Sequence, residues 1–387
     1  MTRPAMIVVG SGPAGVSAAE AFRQHDADTA VRILTADTDL PYERPPLSKE
    51  FLRGETDDVA LHPSSWYAEN SIELTCARVA HIDPAARSVV VDDERIPYSA
   101  LILACGSAPT PLPVPGGERA YLLRSLADAQ RLRAGTADVD SAVVIGAGFI
   151  GCEAAASLAQ RGISVTLVAP NEVPQDKRLG VEAGKRLRAL VTSAGARYVG
   201  GVSVEAVHDG AVQLDNGVTI DCDLVLAATG VHPQSALAEE AGLQISDSRI
   251  VVDSGMRTSA PDVYAAGDIA SAFNATAGRH IAVEHWQDAV DHGQIAGAVA
   301  AGDEAQWDGV PGFWTTIGDA TVKYHAWGDG YDSTRLIDHA DGFTAWYERD
   351  GATVGVLTCN ADDDYDLGEG LIADGRPAPV ETTRTGT

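Results

Sequence analysis

The sequence is short of lysine: four residues, against 24 arginines and 55 acidic side chains, for a formal net charge of −27. Such a charge repels the phosphates of nucleic acids and of anionic lipids, so neither is expected as a partner. Cysteine is sparse too, with five residues at 76, 105, 152, 222 and 359 and no Cys-x-x-Cys pair. An odd, dispersed set offers neither a disulfide framework nor zinc-ligand spacing, and it fits a reducing, cytoplasmic setting. It also removes the dithiol route by which disulfide reductases pass electrons. No run of 18 apolar residues exists, so no membrane span is expected. Arg3 precedes an apolar stretch in a faintly signal-like way, but cleavage there would destroy a glycine-rich loop at 10–15. His280, His285 and His292 lack metal-site spacing such as His-Glu-x-x-His. The Asp362, Asp363, Asp364 and Asp366 run lacks the glycine and closing glutamate of a calcium loop and reads as a solvated turn.

What is present is an internal echo. Residues 6–9 form an apolar run, followed by Gly10, Gly12 and Gly15 as Gly-x-Gly-x-x-Gly, a small-residue helix to about Gln24, and a strand from Val31 to Leu34. The pattern returns with a strand from Ala142 to Ile145, then Gly146, Gly148 and Gly151, a helix to about Arg161, and a strand from Val165 to Val168. Each half closes on an apolar strand that runs into glycine, at Ala104, Cys105 and Gly106 and again at Gly230. With 39 glycines in 387 residues, roughly 0.4 such motifs arise by chance. Two copies, each after a strand and before a helix, point to two βαβ dinucleotide-binding units. The first glycine permits the tight turn, the second lets backbone approach a diphosphate, and the third lets helix pack on strand. The ribose-binding acid expected about 20 residues on is Asp37 in the first unit, one step late. In the second, Val168-Ala169-Pro170 carries no acid, Glu172 follows, and Lys177 and Arg178 lie further on. The absence of a basic residue at the strand end leans toward NADH over NADPH.

Further motifs are Pro41-Tyr42-Glu43-Arg44-Pro45-Pro46-Leu47-Ser48-Lys49, Leu112 to Gly116, Gly148-Phe149-Ile150-Gly151-Cys152-Glu153, Val263 to Asp268, and Val283-Glu284-His285-Trp286-Gln287. In this order the chain resembles, over nearly its whole length, the FAD-dependent ferredoxin and rubredoxin reductases, the group that includes putidaredoxin reductase and apoptosis-inducing factor. The resemblance implies an α/β fold of two Rossmann-type domains and a small α+β interface domain. FAD would occupy residues 1–110 with 238–308, NAD(P) residues 111–237, and the interface domain residues 309–387. It implies that Gly10, Gly12, Pro13, Ala14 and Gly15 cradle the FAD diphosphate, that Arg44 contacts its phosphate or ribose, and that Val79 meets the adenine. Asp268 would hold the ribityl chain, and Glu284, His285 and Trp286 would open a helix under the flavin. Ala104, Cys105 and Gly106 join the FAD set; Gly146, Gly148, Phe149, Ile150, Gly151 and Gly230 join the nicotinamide set. Lys49 and Glu153 would meet as a catalytic ion pair near the flavin. Cys105 and Cys152 read as packing residues.

The last part differs in character. Trp307, Phe313, Trp314, Trp327 and Trp346 gather there, and alternating stretches at 321–327, 334–339, 343–347 and 354–359 read as a small antiparallel sheet. A helix is expected over 365–372 and a disordered tail over 378–387. Phe313 and Trp314 are candidates to cover the flavin. Residues 303–387 hold 17 acids and five bases, which would repel an acidic partner and asks for a basic patch elsewhere or a different acceptor. The expected activity is transfer of electrons from NADH or NADPH through FAD to an acidic ferredoxin or rubredoxin serving an oxygenase or cytochrome P450, by a monomer or homodimer. The rivals are an NAD(P)H oxidase or quinone reductase, and a redox-sensing protein like apoptosis-inducing factor.

Overall fold

A computed structural model describes residues 4–379. The strand Ala5–Val9 lies at the centre of the first sheet, parallel to Val31–Thr35 on one side and to the end of Glu94–Leu103 on the other. Val8 stands between Ile33 and Ile102. Ile72–Cys76 extends the sheet on one flank, and Val263–Ala265 adds a parallel strand beside Leu101–Leu103 on the other. The chain therefore leaves this sheet, builds another body, and returns. Both faces are covered, so Met6, Ile7, Val8, Leu101 and Ile102 are fully buried, as continuous apolar runs in a parallel sheet must be. The opening half of Glu94–Leu103 turns out of this sheet and pairs antiparallel with Ser88–Val91 and, beyond it, Val79–Asp83.

The second body repeats the plan. Ser141–Ile145 is flanked in parallel by Ser164–Val168 and Leu224–Ala227, with Arg197–Val199 outside. A three-stranded antiparallel ribbon, Val204–His208, Ala211–Leu214 and Thr219–Asp221, is inserted before the last strand. The two crossings between the bodies, Ser107–Pro109 and Val231–Pro233, pair with each other antiparallel. The chain thus enters and leaves the second body through a two-stranded connection, or hinge segment.

The third body is a five-stranded antiparallel sheet in the order Gly312–Ile317, Ala320–Ala326, Ala352–Cys359, Phe343–Arg349, Ser333–Asp338. Sequence reading found the last four of these in chain order and missed Gly312–Ile317. The covering helix runs over Asp362–Ala373, three residues earlier than expected. Of the aspartates read as a solvated turn, Asp362, Asp363 and Asp364 form its first turn, where the helix dipole favours negative charge. Two other expectations are corrected. Trp307 belongs to the core of the first body, edge-on to His292 at 4.5 Å. Ala378, placed in the disordered tail, is buried, with its N–H donating to Glu348 Oε1 at 3.1 Å. The rest of that tail, from residue 380, lies outside the described residues.

Two glycines bring the site together. Pro13–His25 and Trp286–Ala300 pack so closely that a Cβ on Gly293 would stand 2.2 Å from the Ala14 carbonyl oxygen, and one on Gly297 2.2 Å from that of Ala18. This contact sets the start of Pro13–His25 beside the middle of Trp286–Ala300.

Candidate active site

The first glycine loop is dictated by packing. Gly10 has φ +110°, and a Cβ there would lie 2.3 Å from the Ala104 oxygen. A Cβ on Gly15 would lie 2.0 Å from the Gly10 oxygen. Gly12 is different: its missing Cβ faces the Arg44 Nη1, 2.7 Å away. Gly12 caps the helix with no side-chain bond, Pro13 opens it, and its first turn holds no acid. Its free N–H groups and partial positive charge suit an anion. Arg44 is half-buried, and its Nε is enclosed without a hydrogen-bond partner. Burial, with the Arg124 guanidinium nearby, pushes its pKa below the usual arginine range; Tyr42, Asp268 and Asp37 oppose this less strongly. A guanidinium with an enclosed, unpartnered Nε beside a bare helix start is favoured when an anion joins it, so these residues fit the diphosphate of FAD.

Beside this loop the Asp37 carboxylate accepts from the Tyr42 hydroxyl at 2.8 Å. The N–H of Ala77 donates to the Thr35 oxygen at 2.7 Å, which brings the turn leading to Val79 next to the strand end that carries Asp37. Val79 is half-buried and lines neither of the cavities described below. Ala104 and Cys105 close the floor under Gly10, and Gly106 takes φ +64° to turn the chain into the hinge.

A cavity of about 190 Å³ extends from Pro13 and Arg44 to Lys49, Glu153, Asp268, Trp286, Phe313 and Trp314. Asp268 is buried and paired with Arg124, a residue that sequence reasoning missed. Arg124 stands just before the capped start of Leu126–Gly135, where Ser125 accepts from the Asp128 N–H, so its backbone is fixed. His285 is the N-cap residue of Trp286–Ala300, and its Nδ1 lies 2.8 Å from Asp288 Oδ2. The Glu284 carboxylate is held by Arg249. Phe313 is buried against Phe149 at 4.6 Å and His285 at 4.7 Å, while Trp314, on the opposite face of its strand, is 42% exposed at the cavity edge.

At the bottom of this cavity Lys49 Nζ lies 3.0 Å from Glu153 Oε1, with both side chains buried. Residues far apart in sequence, on two different bodies, are brought into contact. Lys49 also donates to the Pro45 oxygen at 2.6 Å. Two hydroxyls that sequence reasoning did not single out complete the set: Ser48 donates to Glu153 Oε2 at 2.5 Å and Thr315 to Oε1 at 2.7 Å. Ser48 lay inside the quoted Pro41–Lys49 motif; Thr315 carried no sequence signal.

The second glycine loop opens on a wider cleft of about 850 Å³, a size proper to a cofactor site. Gly146 has φ +103°, and Gly151 packs where a Cβ would meet the Gly146 oxygen at 1.9 Å. The space over Gly148 is open, the nearest atom being Gln175 Nε2 at 3.9 Å. Gly230, at φ +108°, also lines this cleft and has open space in front of it. Lys177, Arg178, Arg249 and Arg279 are in its walls; Arg249 and Arg279 are paired, with Glu284 and Asp329. Ala169, where a ribose-binding acid would be expected, is buried. Asn171 beyond it is tied to Asp176 at 2.5 Å, and Glu172 is exposed. The two cavities share Leu123, Phe149, Ile150, Glu284 and His285 as walls. The two cavities are therefore next to each other.

The cysteines and the remaining histidines lie apart from this chemistry. Burial pushes the Cys105 thiol up to about 11 and the Cys152 thiol up to about 12, so neither is a ready nucleophile. All five cysteines are free. His280 packs on Phe273, and His292 lies buried beside Trp307.

Residues 4–293 match the model of the pyridine nucleotide-disulphide oxidoreductases. The chain belongs to that family. It is 32% identical to the ferredoxin–NAD(+) reductase component of the anthranilate 1,2-dioxygenase system of Burkholderia cepacia, over 97% of this chain and 95% of that protein. It is 33% identical to a rubredoxin–NAD(+) reductase of Pseudomonas putida, over 82% and 86% of the two chains. Among solved structures, the ferredoxin reductase for the CYP199A2 system of Rhodopseudomonas palustris superposes with a TM-score of 0.92 at 29% identity, covering 97% and 96%. The reductase of a covalent putidaredoxin reductase–putidaredoxin complex gives 0.92 at 28%, covering 97% and 94%. The α/β fold with parallel Rossmann sheets is shared with these structures. Among the described residues no helix is long and apolar enough to cross a membrane.

Proposed function

We propose that this protein is an FAD-dependent NAD(P)H oxidoreductase that delivers electrons to a small iron–sulfur protein, a ferredoxin or rubredoxin, which serves an oxygenase or cytochrome P450. The observation that carries the reading is the shared wall between the two cavities, with the Lys49–Glu153 pair beneath it. Bound FAD supplies the conversion of a two-electron hydride donor into a one-electron source. The chain supplies alignment and electrostatics. Gly10, Gly12 and the Pro13 helix would hold the FAD diphosphate together with Arg44; Asp37 and Val79 would contact the adenosine end. Asp268 and Arg124 face the middle of the FAD cavity. The Trp286 helix, opened by Glu284 and His285, directs its positive end into the flavin end of that cavity, where it favours negative charge. Lys49, oriented by Glu153, places an ammonium in the same space.

The nicotinamide coenzyme would lie over Gly146, Gly148 and Gly151 against Phe149 and Ile150, with Lys177 and Arg178 available to its phosphates. On this reading residues 1–110 with 238–308 hold FAD, 111–237 hold the coenzyme, and 309–387 cover the junction. A reducing cytoplasm suits the five free cysteines. The absence of a Cys-x-x-Cys pair directs electrons outward rather than to a dithiol, and the named iron–sulfur partners of the relatives supply the class of acceptor. The test is anaerobic reduction with NADH and with NADPH, followed by turnover with a ferredoxin and cytochrome c. Fast ferredoxin-dependent turnover with little oxygen consumption supports the reading. Rapid oxygen or quinone reduction without ferredoxin assigns the protein to the oxidase class. Slow reduction with a stable long-wavelength band assigns it to the redox-sensing class.

A further inference from the structure

The buried ion pair is held by residues from all three bodies. Lys49 and Ser48 come from the first, Glu153 from the helix Phe149–Gln160 of the second, and Thr315 from the strand Gly312–Ile317 of the third. Thr315 is fully buried, on the same strand face as Phe313 and Ile317. The terminal torsion of a glutamate is broad and two-fold, so a carboxylate held by one partner is free to rock. Here it is pinned at both oxygens: Ser48 Oγ on Oε2 at 2.5 Å, Thr315 Oγ1 on Oε1 at 2.7 Å. Lys49 shares Oε1 with Thr315, at 3.0 Å. Its second N–H is spent on the Pro45 oxygen. With two of three N–H groups fixed, the third is directed by the other two, and Lys49 lines the cavity. Ser48 is itself anchored, because its carbonyl accepts from the Ser157 hydroxyl at 2.7 Å, one turn along the helix from Glu153.

The geometry points to Thr315 as a positioning residue for the reductase: its hydroxyl fixes the Glu153 carboxylate and through it the direction of the Lys49 ammonium. The third body therefore sets the electrostatics of hydride transfer as well as covering the junction. This rests on the function proposed above. Thr315 touches no reacting atom; it acts through Glu153.

Three variants of the FAD-loaded protein test it. Thr315→Val keeps shape and removes the donor. Thr315→Ser keeps the donor and removes a methyl. Thr316→Val, on the opposite face with a hydroxyl contact only to Thr321 at 3.2 Å, is the control. Each is measured for flavin reduction by NADH and NADPH in stopped flow, for the midpoint potential of the bound flavin, and for NAD+ binding by the perturbed flavin spectrum. The expected result is reduction slowed about tenfold in Thr315→Val, with a lower midpoint potential and NAD+ binding little changed. Thr315→Ser recovers the rate and the potential, and Thr316→Val matches the parent. Parent-like rate and potential in Thr315→Val overturn the inference. So does a Thr315→Ser that fails as badly as Thr315→Val, since that marks packing rather than the hydroxyl. A parent protein that neither nicotinamide coenzyme reduces overturns the proposed function itself, a different outcome from either.

Discussion

Replacing Lys49 by Met separates the electrostatic from the steric contribution at the centre of the site. Methionine keeps the stem and most of the volume and deletes the ammonium. In the parent that ammonium holds the Pro45 oxygen at 2.6 Å and Glu153 Oε1 at 3.0 Å, both groups enclosed by protein. Its loss leaves the Glu153 charge with only the Ser48 and Thr315 hydroxyls. Removing one partner of a buried pair costs about 3–5 kcal/mol, and the two retained hydroxyls place this case near the lower end, about 3 kcal/mol. At roughly 2–4 °C per kcal/mol for domains of this size, the melting temperature falls by about 6–12 °C. Losing one preorganised charged donor also slows reaction by roughly 10²–10³-fold. Anaerobic stopped flow with NADH reads the second effect and thermal unfolding the first. The double variant Lys49→Met with Glu153→Gln dissects them: neutralising the stranded carboxylate recovers most of the stability and none of the rate. A Lys49→Met protein reduced at the parent rate would remove the ion pair from the mechanism, whatever its stability.

Other consequences are open to direct measurement. Arg44→Met weakens FAD binding by at least about tenfold and raises the thermal stability of the FAD-free protein, read by flavin titration and unfolding scans; unchanged affinity would separate Arg44 from the diphosphate. Because burial holds the Cys105 thiol up at about 11, its thiolate is roughly one part in a thousand at pH 8. Iodoacetamide should therefore label exposed Cys76 first by peptide mass mapping, and Cys105 only as the pH approaches 11. His292 is fully buried with both ring nitrogens unpartnered, and burial lowers its pKa from 6.5 to about 4. The unfolded chain binds a proton below about pH 6.5 while the folded one refuses it until about 4. This histidine therefore withdraws stability as the pH falls through that window, by roughly 2 kcal/mol at pH 5. Urea unfolding of parent and His292→Met at pH 7 and pH 5 should show that part of the slope missing in the variant.

The sequence was most legible where the chemistry is local. A glycine loop between an apolar strand and a small-residue helix is specified within about 30 residues, so both βαβ units could be placed from Gly10–Gly15 and Gly146–Gly151. The motif from Pro41 to Lys49 was legible because its residues are contiguous. What escaped is non-local. Arg124 reaches Asp268 across 144 positions and Thr315 reaches Glu153 across 162, and no periodicity announces such a meeting. The strand Gly312–Ile317 was missed because it begins with glycine and runs through consecutive threonines, so its alternation of Phe313, Thr315 and Ile317 inward is disguised by a buried hydroxyl. That hydroxyl is the one that bonds Glu153. Trp307 was grouped with the aromatics that follow it, although its burial partner, His292, precedes it on the Trp286 helix.

The central claim is that two glycine-opened helices present two dinucleotides to each other across one shared wall. The most direct measurement is the visible spectrum of the purified protein before and after a stoichiometric addition of NADH or NADPH under argon. The account predicts a yellow protein, or one that turns yellow on incubation with FAD, whose flavin band bleaches on addition of the coenzyme and returns when oxidised ferredoxin is supplied. A protein that stays colourless with FAD, or holds FAD that neither coenzyme bleaches, would contradict it.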